Sequence, residues 1–211
     1  GIQLPGEAAG SVPLPVRLPE HTRNAIAFGH SISVTPLQLA QAYSAIANGG
    51  VMMQPNVIKK ISGSANSHST YNAYAAEERV INPATARLLT DMLQEVVSIG
   101  GTGVRAAVPG FDVAGKTGTA RKIHNGTYSN KHLVASFAGF CPVDDPKITV
   151  VVIIDEPKTM SYGGQSAAPA FSRISQQVLN YMNVAPRVQL AAGAGPGQEP
   201  EHAFIEADRS G

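Results

Sequence analysis

Val113-Ala114-Gly115-Lys116-Thr117-Gly118-Thr119-Ala120 reads as a short strand with a Lys-Thr-Gly-Thr core. Side chains alternate faces along a strand, so Thr117 and Thr119 present two hydroxyls on one side, while Gly118 on the other lets neighbouring structure approach closely. Lys116 leaves on the face opposite the threonines, but its four-carbon stem and the strand's twist allow the charge to return to their side. Two hydroxyls and an ammonium form a cradle for a carboxylate. The bland alternative is an ordinary edge strand with a solvated lysine, and only the surrounding sequence decides between them.

Working outward, helical segments flank this strand. Thr35-Pro36-Leu37-Gln38 is a helix start, with Thr35 as N-cap, Pro36 at the first helical position and Gln38 placed to close a capping box. The spacing of Leu39, Tyr43, Ile46 and Ala47 predicts a buried packing helix that stops at Gly49-Gly50. Asn82-Pro83 opens a second helix, with Leu89, Met92, Leu93, Val96 and Val97 as its apolar stripe, ending before Gly100-Gly101. Pro169 to Met182 carries Phe171, Ile174, Val178, Leu179 and Met182 at helical spacing, as expected of a helix that covers one face of a sheet. That sheet continues from the Lys-Thr-Gly-Thr strand through a polar turn at His124 to Lys131. The apolar runs Leu133 to Cys141 and Lys147 to Asp155 then complete an antiparallel meander.

The remainder is less patterned. Gly1 to Pro19 is expected to be an extended surface segment, and Val51 to Ile61 strand-like, with Pro55 confining part of it to an edge. Ser62 to Glu78 is expected to be a polar loop, and residues 186–211, rich in Pro, Gly and Ala, a disordered tail.

Composition narrows the classes of function. The chain has 211 residues, 43% hydrophobic and 15% charged, enough for one core, with 16 basic against 15 acidic residues. A net charge of +1 creates no field that would gather nucleic acid. The single cysteine, Cys141, ends an apolar run and is expected to be core. The six histidines show no ligand spacing, so neither metal nor cofactor is expected. Lys122, near the end of the Lys-Thr-Gly-Thr strand, is expected to be a solvated charge.

Taken together, Gly1-Ile2-Gln3-Leu4-Pro5-Gly6-Glu7, Val34-Thr35-Pro36-Leu37-Gln38-Leu39-Ala40, Asn48-Gly49-Gly50, Gly101-Thr102-Gly103-Val104-Arg105, Ala114 to Ala120, Phe137-Ala138-Gly139-Phe140, Asp155-Glu156-Pro157, Tyr162-Gly163-Gly164 and Ala168-Pro169-Ala170-Phe171 resemble a class B penicillin-binding protein. Within that class the resemblance is to the cell-division D,D-transpeptidase, and it extends over residues 1–185. It implies an α/β fold of the α+β type, an antiparallel sheet with packed helices as in penicillin-binding proteins and serine β-lactamases, represented here by its C-terminal half.

Enzymes of this kind use a Ser-x-x-Lys, a Ser-x-Asn and the Lys-Thr-Gly strand. No Ser-x-x-Lys occurs in the sequence. In the family both other motifs precede the segment resembling Gly1 to Glu7, so Ser64-Ala65-Asn66 is out of place, and the chain is expected to be a fragment, inactive alone. The resemblance implies that Lys116, Thr117, Gly118 and Thr119 serve catalysis, with the Thr119 N–H in an oxyanion hole. It implies that Thr117, Thr119, Ala120, Arg121, His30, Tyr162, Gly163 and Gly164 line the site for acyl-D-Ala-D-Ala stem peptides or β-lactams.

Two departures touch that lining. Ser161 stands where the family often has an aromatic residue, and Gly29-His30-Ser31 stands where a Gly-x-Gly turn is usual. Implied partners are a septal glycosyltransferase and other division proteins, on the periplasmic side of the inner membrane in the bacterial cell envelope. The alternatives are a serine β-lactamase or penicillin-sensing domain, which share the Lys-Thr-Gly strand, and a non-catalytic interaction module.

Overall fold

The computed structural model describes residues 2, 5–12, 18–57 and 77–187. The expected meander is present as a three-stranded antiparallel sheet in which β4 (Thr127–Cys141) lies between β3 (Ala114–His124) and β5 (Ile148–Asp155). The Lys-Thr-Gly-Thr segment therefore lies on a sheet edge among the described residues. Its register sets Thr117 opposite Phe137, Gly118 opposite Ser136 and Thr119 opposite Ala135.

The two faces of the sheet carry different helices. Phe137 and its neighbour Val152 point toward α4 (Ala167–Tyr181), where the Phe137 and Phe171 rings meet at 4.7 Å and 58°. Phe171, Ser175 and Leu179 make the fully buried stripe of that helix, and burying a Phe or Leu side chain stabilises by about 1.5–3 kcal/mol. Ile174 and Met182, expected in the stripe, are exposed; at four-residue spacing Ser175 takes the central buried position instead. Cys141 closes this core as expected, fully buried. Burial pushes its thiol up to about 11, against a smaller opposing effect of the Ser175 hydroxyl, so it stays protonated at neutral pH.

On the opposite face lies α2 (Pro36–Ala47), whose Ser44 Oγ donates to Thr149 Oγ1 at 3.0 Å. Its start is as expected. Thr35 Oγ1 accepts from Gln38 N at 3.1 Å, and Gln38 Oε1 accepts from Thr35 N at 2.8 Å. Leu39, Tyr43, Ile46 and Ala47 are half-buried rather than buried, and only Ala45 is fully enclosed. The reciprocal cap contributes locally, so Thr35→Ala is expected to lower the unfolding free energy by about 1 kcal/mol, seen as a lower urea midpoint, while Thr35→Ser retains most of it.

Several boundaries depart from the sequence expectation. A helix that the apolar pattern does not announce, α1 (Glu20–Ala27), follows Pro19; it has no side-chain cap and buries no residue. Among the described residues the strand after α2 is β1 (Val51–Met53). Its partner β2 (Glu77–Arg79) takes the end of the segment expected to be loop, pairing Val51 with Arg79 and Met53 with Glu77. Residues 58–76, which include Ser64-Ala65-Asn66, lie outside the described residues.

Helix α3 (Pro83–Glu95) is capped by the Asn82 side chain as expected, but Met92 is 55% exposed and Ala86 is its buried anchor. The polar turn expected from His124 to Lys131 is mostly strand. Asn125 and Gly126 make the two-residue connection, both with positive φ (52° and 78°), the backbone that Asn-Gly adopts in tight hairpins. Beyond α4 the chain stays on the body through Arg187, whose N–H donates to Gly110 O at 2.8 Å and whose guanidinium pairs with Asp112 and Asp144. Residues 188–211 of the expected tail lie outside the described residues. Among the described residues no helix is long and apolar enough to cross a membrane.

Candidate active site

Because β3 is a sheet edge, the Lys116 side chain is able to wrap around it. Its Nζ donates to Thr117 O at 3.1 Å and to Thr117 Oγ1 at 3.2 Å, so the ammonium and the hydroxyl meet although the two residues start on opposite faces. Thr117 Oγ1 also lies 3.0 Å from Thr102 Oγ1. Lys116 and Thr119 are exposed and Thr117 is half-buried, as befits groups facing a cleft.

Thr102 was legible only as the residue between two glycines in Gly101-Thr102-Gly103. It follows α3 in a tight turn, where Gly103 N donates to Val96 O at 2.8 Å. A hydroxyl held between two glycines in a turn, close after a capped helix, is the signal that marks it. The turn leads into a single 3-10 turn at Val104–Ala106 and then to β3, so the chain folds Thr102 back against Thr117 within 15 residues.

Gly163 and Gly164 close the other side. Gly163 N donates to Thr119 Oγ1 at 3.2 Å. A Cβ at Gly163 would overlap Ser136 O and Gly118 O, and one at Gly118 would overlap Ser136 Oγ, so the absence of side chains lets two strands and a turn meet here. Gly164 sits against Thr102 O and the Thr117 methyl in the same way. The Gly163 carbonyl then accepts from Ala167 N and Ala168 N, which fixes this turn as the entrance to α4. The Thr119 hydroxyl, accepting from Gly163, keeps its own proton to donate outward.

The other residues named from sequence are more loosely placed. Tyr162 is 63% exposed, with its carbonyl taken by Gln165 N, Ser166 N and Ser166 Oγ. Ala120 and Arg121 continue β3 and are exposed, opposite Val134 and Leu133. His30 is exposed in the turn after α1, where its N–H donates to Ala25 O, between Gly29 and Ser31, both at positive φ. No described hydrogen bond brings it to β3. Lys122, expected to be solvated, is instead paired: its Nζ lies 3.1 Å from an Asp155 carboxylate oxygen and 2.7 Å from Glu156 Oε1. No group of three or more candidate metal ligands occurs among the described residues.

This arrangement can hold a carboxylate between two threonine hydroxyls and an ammonium at the open edge of a strand. The model of the penicillin-binding protein transpeptidase domain matches residues 1–176. A probable peptidoglycan D,D-transpeptidase PenA of Neisseria gonorrhoeae is 37% identical over 193 residues, which are 90% of this chain and 31% of that protein. The peptidoglycan D,D-transpeptidase FtsI of Escherichia coli is 36% identical over 88% of this chain and 30% of its own length.

Among solved structures, the transpeptidase domain of penicillin-binding protein 3 from Burkholderia pseudomallei superposes with a TM-score of 0.76 at 38% identity, over 88% of this chain and 54% of that one. Penicillin-binding protein 3 of Mycobacterium tuberculosis complexed with ampicillin gives 0.80 at 34% identity, over 90% and 44%. The chain thus spans about a third of the length of these curated relatives and about half of the solved chains. With the family model matching residues 1–176 and these relatives and structures alike over most of its length, the chain belongs to the penicillin-binding protein transpeptidase family.

Proposed function

We propose that this chain supplies the carboxylate-binding wall of a serine D,D-transpeptidase that cross-links peptidoglycan stem peptides during cell division, on the periplasmic side of the inner membrane. The observation that carries the reading is the edge-strand cradle, in which the Lys116 ammonium, the Thr117 hydroxyl and the Thr119 hydroxyl held by Gly163 come together. An acyl-D-Ala-D-Ala peptide places its terminal carboxylate on Thr117 and Thr119 and its scissile carbonyl beside the Thr119 N–H. A fixed donor there stabilises the oxyanion that develops in the transition state.

The nucleophile is the serine of a Ser-x-x-Lys in the part of the parent protein that precedes this chain. Its Oγ attacks the carbonyl of the penultimate D-Ala, the terminal D-Ala leaves as its amine takes up a proton, and the acyl group passes to the amine of a second stem peptide. Lys116 holds the positive charge that favours the anionic substrate and takes part in proton traffic. β-Lactams, which carry a comparable carboxylate and acyl carbonyl, acylate the same serine. Residues 1–185 form this part of the domain, with Pro186 and Arg187 still held on it, and the chain beyond Arg187 is a tail. A septal glycosyltransferase and other division proteins are the partners of the whole enzyme.

The full-length protein, incubated with a labelled penicillin and digested, is expected to carry the label on one serine of a Ser-x-x-Lys upstream of residue 1, with acyl-D-Ala-D-Ala peptide competing. Label on a serine elsewhere, or none at all, would sink the reading.

A further inference from the structure

Lys122 does work that the transpeptidase reading leaves unassigned. The register of β3 against β4 slips between Arg121 and Ile123, where Lys122 alone on β3 faces Ser129 to His132 on β4, so Lys122 sits opposite an irregularity of its partner strand rather than in a regular ladder position. Its Nζ passes over β4 to the end of β5, meeting Asp155 at 3.1 Å and Glu156 at 2.7 Å. The hydrogen bonds that the ammonium donates to Glu156 and, next in weight, to Asp155 hold it above the ordinary lysine range, so it is charged under all physiological conditions.

Glu156 is itself constrained. It has a positive φ of 49°, and its N–H donates to Leu133 O at 2.9 Å, so the chain is turned sharply off the sheet at this point. From there residues 157–162 run back to Gly163, which lies on Gly118 and donates to Thr119 Oγ1. On the way Arg105 reaches the Met160 sulfur at 3.9 Å. The strap is thus tied to one strand at both ends: to Lys122 where it begins and to Thr119 where it finishes.

We propose that Lys122 is a positioning residue for substrate binding, fixing through Asp155 and Glu156 the strap that seats the Gly163 N–H on the Thr119 hydroxyl and so aims that hydroxyl's proton at a bound carboxylate. This rests on the reading of Thr119 as a carboxylate ligand. Without Lys122 the strap keeps the Glu156 N–H bond to Leu133 O and the Arg105 contact at Met160 but loses its side-chain tie to β3, so the Gly163 N–H is held less firmly on Thr119 Oγ1. The consequence falls on binding of the carboxylate rather than on the serine's attack.

The test uses the full-length protein and a carboxylate-bearing penicillin, with acylation followed so that the half-saturating concentration and the limiting rate are separated. Lys122→Met is expected to raise the half-saturating concentration roughly three- to tenfold while the limiting rate stays within about twofold, the mark of a lost positioning contact. Lys122→Arg, which keeps charge and reach, is expected to restore it, as is the swapped pair Lys122→Glu with Glu156→Lys. A half-saturating concentration unchanged in Lys122→Met, or a rise that neither rescue reverses, overturns the proposal.

Thr119→Val separates the two levels. If it too leaves half-saturation unchanged, the carboxylate reading fails; if it weakens binding and Lys122→Met does not, only the latch fails. Should Lys122→Met not accumulate as folded protein, Glu156→Gln, which keeps shape and removes one charge of the pair, gives the same readout with the same two outcomes.

Discussion

Lys116→Ala in the full-length enzyme is expected to slow acylation by a β-lactam by about a hundredfold or more, the scale on which removal of a single charged or proton-transferring group acts in such sites. Lys131→Ala, at the exposed hairpin, is expected to leave the rate within about twofold. The contrast follows from geometry. Lys116 Nζ lies within 3.2 Å of both oxygens of Thr117, and that residue's hydroxyl is in turn 3.0 Å from Thr102 Oγ1. Truncation removes the cleft's ammonium and the donor that orients the Thr117 hydroxyl.

Lys116→Arg is expected to recover only part of the rate, because a planar fork does not wrap an edge strand as a compact ammonium on a flexible stem does. Stopped-flow acylation with a chromogenic cephalosporin reads all three variants. Equal rates for the Lys116 and Lys131 alanine variants would remove Lys116 from the chemistry.

What the sequence made legible was what local chemistry decides. Thr35-Pro36-Leu37-Gln38 specifies a helix start almost by itself, because each residue answers a backbone group within one turn. The meander was legible because its apolar runs are long and its ends polar. Arg187 and Lys122 were not, because the partners of the first lie 75 and 43 residues away in sequence and those of the second 33 and 34, and they come close only through the fold.

Opposite Lys122 the register slips because β4 carries Ser129 to His132 against that one residue, an irregularity that composition and period do not announce. The tight hairpin at Asn125-Gly126 did carry its signal, an Asn-Gly pair between strands, although the polar residues around it read as loop. The cradle itself was half legible. Two threonines on one face follow from strand alternation, but the return of Lys116 depends on β3 lying at an edge, and the contribution of Thr102 depends on a turn that closes only in three dimensions.

The chain by itself, mixed with a labelled penicillin, is expected to form no stable covalent adduct, although it carries the carboxylate cradle. Acylation needs a serine oxygen activated by a nearby base and a positioned oxyanion donor, and a free hydroxyl is a poor nucleophile at neutral pH. The sequence contains no Ser-x-x-Lys. Among the described residues one serine comes closer than the others to an activated state: Ser129 Oγ lies 2.9 Å from His132 Nδ1.

Its surroundings argue against reactivity. The same oxygen accepts from Lys131 N at 3.1 Å and His132 N at 3.2 Å, which makes it a cap for the local turn and occupies the lone pairs that an attack requires. The His132 ring is stacked on His124 at 4.4 Å, at the far end of β3 from Thr117 and Thr119. Ser136, nearer the cradle, lies beneath Gly118 rather than in front of the threonines. Lys116, Thr117 and Thr119 alone give at most weak, reversible binding, because one open wall buries too little of the ligand. Intact-mass spectrometry after incubation decides the matter: an unshifted mass is expected, and a one-to-one adduct mapped to Ser129 or any other serine of this chain would relocate the nucleophile and overturn the proposed division of labour between this chain and the region before it.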